Sequence, residues 1–262
     1  EARLLARRDL QLDDYQRRAI DAYGAGESVL VAAPTGSGKT LVAEFAIEMA
    51  YLSNRKAFYT TPLKALSNQK YHDLCRIYGS ASVGLLTGDT SVNAQAPVVV
   101  MTTEVLRNML YANSPTLANL EVVVLDEVHY LQDPYRGAVW EEVIIHLEPA
   151  VRLVCLSATV SNAEELAAWV ATVRGATSAI IEERRPVTLE HLYLAGRRSG
   201  AKGVMLAPTF VGGEPNPSLA LLAGRTARSQ RLRAPRWRRT PCCRQSTSSS
   251  PATPVTKRWP SV

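Results

Sequence analysis

The sequence predicts an α/β fold in which a mostly parallel β-sheet is sandwiched between helices. Over residues 1–195, short apolar runs alternate with helical patterns, and the connections between them are short. Most of the runs are continuously apolar, which is the pattern of parallel strands that are buried on both faces. Alternating strands and helices give a doubly wound sheet, and such sheets bind ligands at the carboxyl ends of their strands.

Six largely apolar runs are expected to form the strands. They cover residues 28–33, 56–60, 83–86, 98–102, 121–125 and 153–157. Helices are expected at residues 41–52, 63–78 and 162–170. The last helix should begin at a Ser161 N-cap, because Glu164 follows three residues later, as in a capping box.

The end of the chain has a different composition. Beyond Leu194, glycine, proline, arginine and serine predominate, and residues 212–217 have the composition of a loop. The net charge of +6 belongs to this segment, because acidic side chains outnumber basic ones in residues 1–195 and Glu214 is the only acidic residue after them. We therefore expect an irregular basic tail, and any argument for nucleic-acid binding has to come from local sites.

Cysteine usage and hydropathy indicate the compartment. The four cysteines, Cys75, Cys155, Cys242 and Cys243, lack the spacing of zinc ligands, and Cys155 lies in an apolar run that suits the core. No apolar stretch approaches the length of a membrane span. We expect a cytoplasmic protein with no membrane contact, no disulfide and no zinc site.

The first chemical motif follows the first predicted strand. It consists of Ala33, Pro34, Thr35, Gly36, Ser37, Gly38, Lys39 and Thr40. The glycines let the backbone curl so that successive N–H groups face the β-phosphate of a nucleotide, and the following helix directs its N-terminus at the same charge. Lys39 can reach the β- and γ-phosphates, and Thr40 can bind Mg²⁺. The alternative is a fortuitous glycine turn, and Ala33 departs from the glycine with which such loops usually begin.

The second motif, Asp126 to His129, follows the apolar run at residues 122–125. Two adjacent carboxylates at a strand end are costly unless a cation or water uses them. Asp126 is expected to hold Mg²⁺ through water, and Glu127 to orient and deprotonate an attacking water. A solvated acidic turn is the alternative, and His129 could sense the γ-phosphate or simply pack beneath the sheet. Together the two motifs predict a P-loop NTPase that uses ATP and Mg²⁺, with Lys39, Asp126 and Glu127 as its catalytic residues.

Two further pairs could complete the nucleotide site. Gln16 could read the edge of the adenine with Tyr15 stacked nearby, although an ordinary amphipathic helix start explains both residues equally well. Ser157 and Thr159 end another apolar strand, and their hydroxyls could couple the carboxylates to bound nucleic acid. A local cap at the strand end is the alternative for this second pair.

Polar groups at other strand ends suit the phosphates of a single-stranded nucleic acid. They are Thr61, Pro62, Lys64, Gly88, Thr102, Thr103 and Glu104. Contacts of this kind read the backbone rather than the bases, so no sequence preference follows from them. Capped helix starts are the alternative for each position.

Taken in order, these motifs resemble those of superfamily 2 helicases. Residues 64–70 (Lys-Ala-Leu-Ser-Asn-Gln-Lys), 99–111 and 136–142 are similar to the superkiller and exosome-associated DExH-box RNA helicases, and within that group to the actinobacterial HelY-type proteins. The resemblance covers roughly residues 10–195. It implies ATP-driven, Mg²⁺-dependent translocation on single-stranded RNA, with DNA not excluded. It also implies 3′-to-5′ unwinding by two RecA-like domains.

The resemblance also divides the chain. Residues 1–195 correspond to the first RecA-like domain, which is the helicase ATP-binding domain, and residues 196–236 to a linker toward a second RecA-like domain that this sequence lacks. The second domain supplies an arginine finger, so we expect slow hydrolysis and no unwinding by this chain alone. Residues 237–262 are expected to be out of frame or disordered. When this segment is translated back into nucleotides, with any synonymous codon allowed, a reading frame shifted by one base can encode a YFIFSR-like string. That string resembles the start of the second domain.

Several functions remain open from the sequence. The leading interpretation is a truncated ATP-binding motor domain of an RNA helicase. The alternatives are a nucleotide-gated, single-stranded RNA-binding module without turnover, and a non-functional fragment. A small-molecule kinase fits less well, because the polar strand ends at residues 60–70 and 101–104 suit a nucleic acid.

Overall fold

The structure is a computed structural model that describes residues 11–158, 162–195 and 205–219 of the chain. The chain divides into two compact units, the first ending at Thr188 and the second beginning at Leu189. Each unit is described separately. Within the described ranges, no helix is both long enough and apolar enough to cross a membrane.

The first unit is built on one eight-stranded sheet. Its strands are β1 Ser28–Ala32, β2 Lys56–Thr61, β3 Val83–Leu86, β4 Ser91–Val92, β5 Val98–Thr102, β6 Leu120–Leu125, β7 Arg152–Ser157 and β8 Thr177–Ile181. They lie in the order β4-β3-β5-β2-β6-β7-β1-β8, and only the β3–β4 pair is antiparallel. The parallel strands therefore bring their carboxyl ends to one edge, as the sequence predicts.

Helices cover both faces of this sheet. They are α1 Asp14–Gly24, α2 Thr40–Leu52, α3 Lys64–Tyr78, α4 Thr103–Tyr111, α5 Gly137–His146 and α6 Ala163–Arg174. Two 3₁₀ turns, Pro115–Leu117 and Val128–Gln132, lie between them. Helices α1 to α3 contribute to the hydrophobic core on one face, and α4 to α6 to the core on the other.

The two-sided core explains why the strands are continuously apolar. In β1, Val29 and Val31 pack in the core that α1 to α3 cover, whereas Leu30 and Ala32 pack in the core that α4 to α6 cover. Successive side chains of a strand point to opposite faces, so a strand covered on both faces needs an apolar residue at each position. Cys155 in β7 is also buried, as its apolar surroundings in the sequence predict.

The predicted α/β fold is confirmed, and each predicted strand is present within one residue of its expected ends. The edge strands β4 and β8 escaped prediction, because polar residues such as Ser91 and Thr177 interrupt their apolar pattern. The predicted N-cap of α6 is wrong by one residue. Asn162 occupies the cap position, and Ser161 lies outside the described residues.

The second unit contains two small hairpins in its described part. Strand β9 Leu192–Ala195 pairs antiparallel with β10 Met205–Pro208, and β11 Phe210–Val211 pairs with β12 Glu214–Pro215. Gly212 and Gly213, with φ of 63° and 87°, form the turn of the second hairpin. The loop predicted at residues 212–217 is therefore wrong in part. The remainder of the predicted tail, including residues 237–262, lies outside the described residues.

Gly84 in β3 marks a close approach between two backbone segments. A Cβ at this position would lie 2.3 Å from the carbonyl oxygen of Asn93, which directly follows β4. Because β4 is paired to β3, we expect Gly84→Ala to lower the free energy of unfolding by about 1–3 kcal/mol, measured by urea denaturation. In Gly24→Ala the new methyl group would meet no atom within 4 Å, so this control should be unchanged or slightly stabilised. Equal stability of the two variants would contradict the prediction.

Candidate active site

The phosphate loop joins β1 to α2 at the carboxyl edge of the sheet. Gly36 and Gly38 have φ values of 85° and 86°, which glycine adopts without steric cost. The N–H of Ser37 donates to the carbonyl oxygen of Pro34 at 3.2 Å, which closes the turn. Lys39 is only 8% exposed. A curled backbone, a helix N-terminus and a largely buried lysine are thus gathered where a polyphosphate would bind.

The first turn of α1 packs against this loop. The side-chain amide of Gln16 donates from Nε2 to the carbonyl oxygen of Gly38 at 3.1 Å and accepts at Oε1 from the N–H of Asp13 at 2.9 Å. The Tyr15 hydroxyl donates to the carbonyl oxygen of Ser37 at 2.6 Å, and burial raises the pKa of this phenol. Both ends of the Gln16 amide therefore bind protein groups and order the loop. Its predicted role at the adenine stays a prediction.

An open cleft of about 290 Å³ lies beside the loop. Its walls include Gln16, Gly36, Gly38, Thr40 and Glu44. This volume falls near the lower end of the range for small-molecule sites. The cleft therefore gives a nucleotide access to the loop backbone and to the start of α2.

Asp126, directly after β6, is fixed by three hydrogen bonds. Its N–H donates to the carbonyl oxygen of Thr60 at 3.0 Å, its Oδ2 accepts from the Tyr59 hydroxyl at 2.7 Å, and its Oδ1 accepts from the N–H of Glu127 at 3.0 Å. Each carboxylate oxygen retains further acceptor capacity. With the Thr40 hydroxyl, the set of possible ligands consists of hard oxygen atoms, which fits Mg²⁺.

Glu127 has a left-handed backbone, with φ 54° and ψ 44°. Such a conformation costs about 1–3 kcal/mol in a residue other than glycine and is concentrated at functional sites. Its Oε2 lies 3.3 Å from Nδ1 of His129. The ring of His129 in turn lies near Tyr130, which stacks on Trp140 with ring centroids 5.9 Å apart. His129 therefore contacts the predicted general base while it packs against the aromatic core.

Ser157 ends β7 next to the phosphate loop. Its carbonyl oxygen accepts from the N–H of Ala33 at 3.2 Å, so Ala33 extends the pairing of β1 and is fully buried in the core. The Ser157 hydroxyl is also buried, and it has no hydrogen-bond partner among the residues that the structure describes. A buried hydroxyl without a partner costs roughly 1–3 kcal/mol, so its presence here calls for an explanation such as a functional role. Thr159 lies outside the described residues, so the predicted coupling role of the two hydroxyls stays a prediction.

The threonines predicted to contact nucleic acid are buried at this edge. The Thr61 hydroxyl bonds to the hydroxyl of Ser67 at 2.7 Å and donates to the carbonyl oxygen of Leu63 at 3.0 Å. The Thr103 hydroxyl donates to the carbonyl oxygen of Thr61 at 3.4 Å, and Thr102 is almost completely buried. In this conformation the hydroxyls of Thr61 and Thr103 are therefore used within the protein.

Lys64, at the start of α3, and Gly88, between β3 and β4, lie close together at the same edge. The side chain of Lys64 is 55% exposed, and its Nζ lies 3.1 Å from Oδ1 of Asp89. A Cβ on Gly88 would lie 3.9 Å from the end of the Lys64 side chain. The structure thus brings an exposed lysine side chain close to the backbone at Gly88.

Sequence reasoning assigned no chemistry to Arg136, which organises this edge. One guanidinium nitrogen, Nη2, donates to the carbonyl oxygen of Pro62 at 3.2 Å and to Oε1 of Glu104 at 2.6 Å. The following glycine is required by packing, since a Cβ on Gly137 would lie 2.1 Å from the carbonyl oxygen of Leu131. Arg136 therefore ties the end of β2 to the start of α4, and Glu104 serves as its partner.

Comparison with known proteins relates this chain to helicases. The model of the DEAD/DEAH box helicase family matches residues 13–166. The probable helicase HelY of Mycobacterium tuberculosis (strain H37Rv) is 60% identical over 196 residues, which are 75% of this chain and 22% of that protein. The chloroplastic DExH-box ATP-dependent RNA helicase DExH15 of Arabidopsis thaliana is 52% identical over 187 residues, 69% of this chain and 16% of that protein. Human superkiller complex protein 2 is 46% identical over 192 residues, 73% of this chain and 15% of that protein. The chain thus spans 15–22% of the length of these relatives.

Solved structures have the same fold. Helicase Lhr of Mycobacterium smegmatis, bound to single-stranded DNA and AMP-PNP, matches with a TM-score of 0.53 and 31% identity over 64% of this chain and 25% of that one. A hypothetical ATP-dependent RNA helicase from Sulfolobus tokodaii matches with a TM-score of 0.54 and 20% identity over 69% of this chain and 56% of that one. The predicted RecA-like fold is confirmed.

Proposed function

Because this chain belongs to the DEAD/DEAH box helicase family, we propose that it is an ATP-binding motor domain that hydrolyses ATP with Mg²⁺ while bound to single-stranded RNA. One observation carries the proposal: a curled phosphate loop and a fixed acidic pair meet at one edge of a parallel sheet. The loop follows β1 and the acidic pair follows β6, two strands separated only by β7. Rigid strands beneath both motifs keep them in register for catalysis.

Each catalytic residue has a distinct proposed role. The loop N–H groups and the Lys39 ammonium would bind the β- and γ-phosphates and stabilise charge that develops on the transferred phosphoryl group. Thr40 would ligate Mg²⁺ directly and Asp126 through water, and the ion, when bound, neutralises phosphate charge. Glu127 would orient the attacking water and accept its proton, with His129 beside its carboxylate.

RNA is the proposed polymer, held by its phosphates. The exposed Lys64 and the backbone N–H groups at the starts of α3 and α4 support this assignment, since both are donors suited to phosphate oxygens. The name of the Arabidopsis relative specifies RNA, whereas the Lhr structure holds DNA. Phosphate contacts do not distinguish the two polymers, because the 2′-hydroxyl is not read by them. DNA is therefore the alternative that the test below separates.

Duplex unwinding is proposed only for a longer protein, because this chain spans a minor part of its relatives. In that protein, residues 1–195 would be the first RecA-like domain and residues 196–236 the linker. Gln16 would contact the adenine after exchanging its present partners, and Ser157 and Thr159 would couple the two ligands. A cytoplasmic location remains part of the proposal.

The test is ATP hydrolysis by the chain alone, with single-stranded RNA, and with DNA of the same sequence. We expect Mg²⁺-dependent turnover that RNA stimulates more than DNA does. Equal stimulation by RNA and DNA would broaden the proposed polymer from RNA to single-stranded nucleic acid in general. Nucleotide and RNA binding without any turnover would favour the nucleotide-gated binding module, and no binding of either strand would contradict the proposal.

A lysine variant tests the predicted RNA surface. Lys64→Ala should weaken RNA binding and reduce the slope of log K against log salt concentration by about 1, because one phosphate contact is lost. Arg76→Ala is the matched control, since Arg76 lies in the last turn of the same helix, is 80% exposed and also faces an aspartate, Asp73. If the slope of log K against log salt concentration is the same in the two variants, RNA does not bind at Lys64.

A further inference from the structure

We propose that Tyr59 is a positioning residue that couples the carboxylate of Asp126 to the strand end predicted to meet nucleic acid. The inference rests on the proposed function, because it assigns a task to a residue between the proposed magnesium and RNA sites. Tyr59 lies in β2, its side chain is fully buried, and its hydroxyl donates to Oδ2 of Asp126 at 2.7 Å.

Two consecutive residues of β2 hold the aspartate. Tyr59 binds its carboxylate, and the carbonyl oxygen of Thr60 accepts its backbone N–H at 3.0 Å. The Thr60 hydroxyl also donates to the carbonyl oxygen of Val124 at 3.1 Å, so β2 and β6 are joined by side-chain as well as ladder bonds. A displacement at the end of β2 would therefore move both the backbone and the carboxylate of Asp126.

The same strand end is connected to helix α3. The Thr61 hydroxyl, one residue beyond Thr60, bonds to Ser67 of α3 at 2.7 Å. Lys70, one turn further along that helix, places its Nζ 5.3 Å from the centroid of the Tyr59 ring, in a cation–π contact. Since α3 begins at Lys64, a strand of RNA bound at the helix start would bias a chain of contacts that ends at Asp126.

The Tyr59 hydroxyl is a dependable donor in this position. Burial raises the pKa of this phenol well above its ordinary value, and the nearby carboxylates of Asp126, Glu44 and Glu127 raise it further. The hydroxyl lies 2.7 Å from Oδ2 of Asp126, and the carboxylate oxygen accepts its hydrogen bond. With Oδ1 held by the N–H of Glu127, the hydroxyl fixes the plane of the Asp126 carboxylate. Its removal would loosen that orientation without changing the charge of the site.

Tyr59→Phe tests this role through nucleotide binding rather than turnover. The dissociation constant of a fluorescent ATP analogue is measured in EDTA and in Mg²⁺, each with and without single-stranded oligouridine. We expect unchanged affinity in EDTA, about a tenfold smaller gain on adding Mg²⁺, and a reduced effect of RNA on nucleotide affinity. Tyr51→Phe is the matched control, since the Tyr51 hydroxyl bonds to Ser82 at 3.2 Å, outside the described site.

A double-mutant cycle separates positioning from general destabilisation. In an Asp126→Ala background, adding Tyr59→Phe should have no further effect on Mg²⁺-dependent affinity, because the bond that it removes is already absent. An undiminished effect in that background, or wild-type behaviour of Tyr59→Phe, would overturn the inference, and thermal unfolding verifies that each variant is folded. If the unmodified chain and Tyr51→Phe both fail to bind nucleotide, the proposed function fails, and this inference fails with it.

Discussion

Glu127→Gln is expected to lower RNA-stimulated ATP turnover by about 10²–10⁴-fold while ATP binding changes little. The range is the usual contribution of a general base, and the substitution removes the proton acceptor while it keeps the size of the side chain. Glutamine can also occupy the space beside Nδ1 of His129, which lies 3.3 Å from the Glu127 carboxylate. The backbone strain at this position is the same for both residues, so folding should be preserved. Steady-state phosphate release and equilibrium binding of ATP are the two measurements.

A second carboxylate provides the control for that experiment. Glu142 lies in α5, outside the described site, where its carboxylate is 3.7 Å from the guanidinium of Arg107. Glu142→Gln removes the same charge from the same unit and should leave turnover unchanged. If Glu127→Gln hydrolyses ATP as fast as this control, another group takes the proton. If the unmodified chain shows no turnover at all, the binding-module alternative gains support.

The sheet could be predicted from sequence because its chemistry is repeated at each position. A strand covered by helices on both faces requires apolar residues throughout, and β5 and β6 satisfy that rule except at Thr102, which ends β5, and at Glu121, near the start of β6. The edge strand β8 has only one neighbouring strand and contains Thr177 and Ser178. Local pattern cannot identify such a strand, since its pairing with β1 rather than its composition defines it.

The phosphate loop and the acidic pair could be found for a different reason. Each is a short segment whose chemistry is complete within a few residues, so the sequence alone contains the signal. Tyr59 and Arg136 act over long separations, because their partners Asp126 and Pro62 are 67 and 74 residues away. Only the pairing of strands brings these groups together, and no local spacing reveals it.

The polar residues at the strand ends look alike in the sequence but differ in burial in the structure. The polar groups at the strand ends form one class by composition, yet the Thr61 and Thr103 hydroxyls are used within the protein and Lys64 is exposed. A threonine can satisfy its hydroxyl with a carbonyl oxygen of its own chain, whereas a lysine cannot be buried cheaply without an acceptor. The exposed cation is therefore the side chain at this edge whose replacement tests RNA binding most directly.

Lys39→Ala is expected to weaken ATP binding by about 2–5 kcal/mol, which is about 30- to 4000-fold in Kd. Lys39 as a whole is 8% exposed, so its attraction to a phosphate is only partly screened by water, and alanine leaves the phosphate charge without that partner. The unliganded protein should be no less stable than the unmodified chain, because a desolvated charge has been removed. The change should therefore appear as loss of the rise in Tm that ATP and Mg²⁺ cause.

Lys56→Ala separates this effect from the loss of a partly buried, hydrogen-bonded lysine elsewhere in the sheet. Lys56 begins β2 at the opposite edge of the sheet, where its Nζ donates to Gln95 and to the carbonyl oxygen of Thr116, both at 3.0 Å. That variant should unfold at a lower temperature because two acceptors lose their donor, yet it should keep the full nucleotide-dependent rise in Tm. The two variants should therefore behave in opposite ways. Lys39→Ala should lose the stabilisation by nucleotide and keep its intrinsic stability, whereas Lys56→Ala should lose intrinsic stability and keep the stabilisation by nucleotide. Loss of the nucleotide response in both variants, or in neither, would mean that the phosphate loop is not where ATP binds.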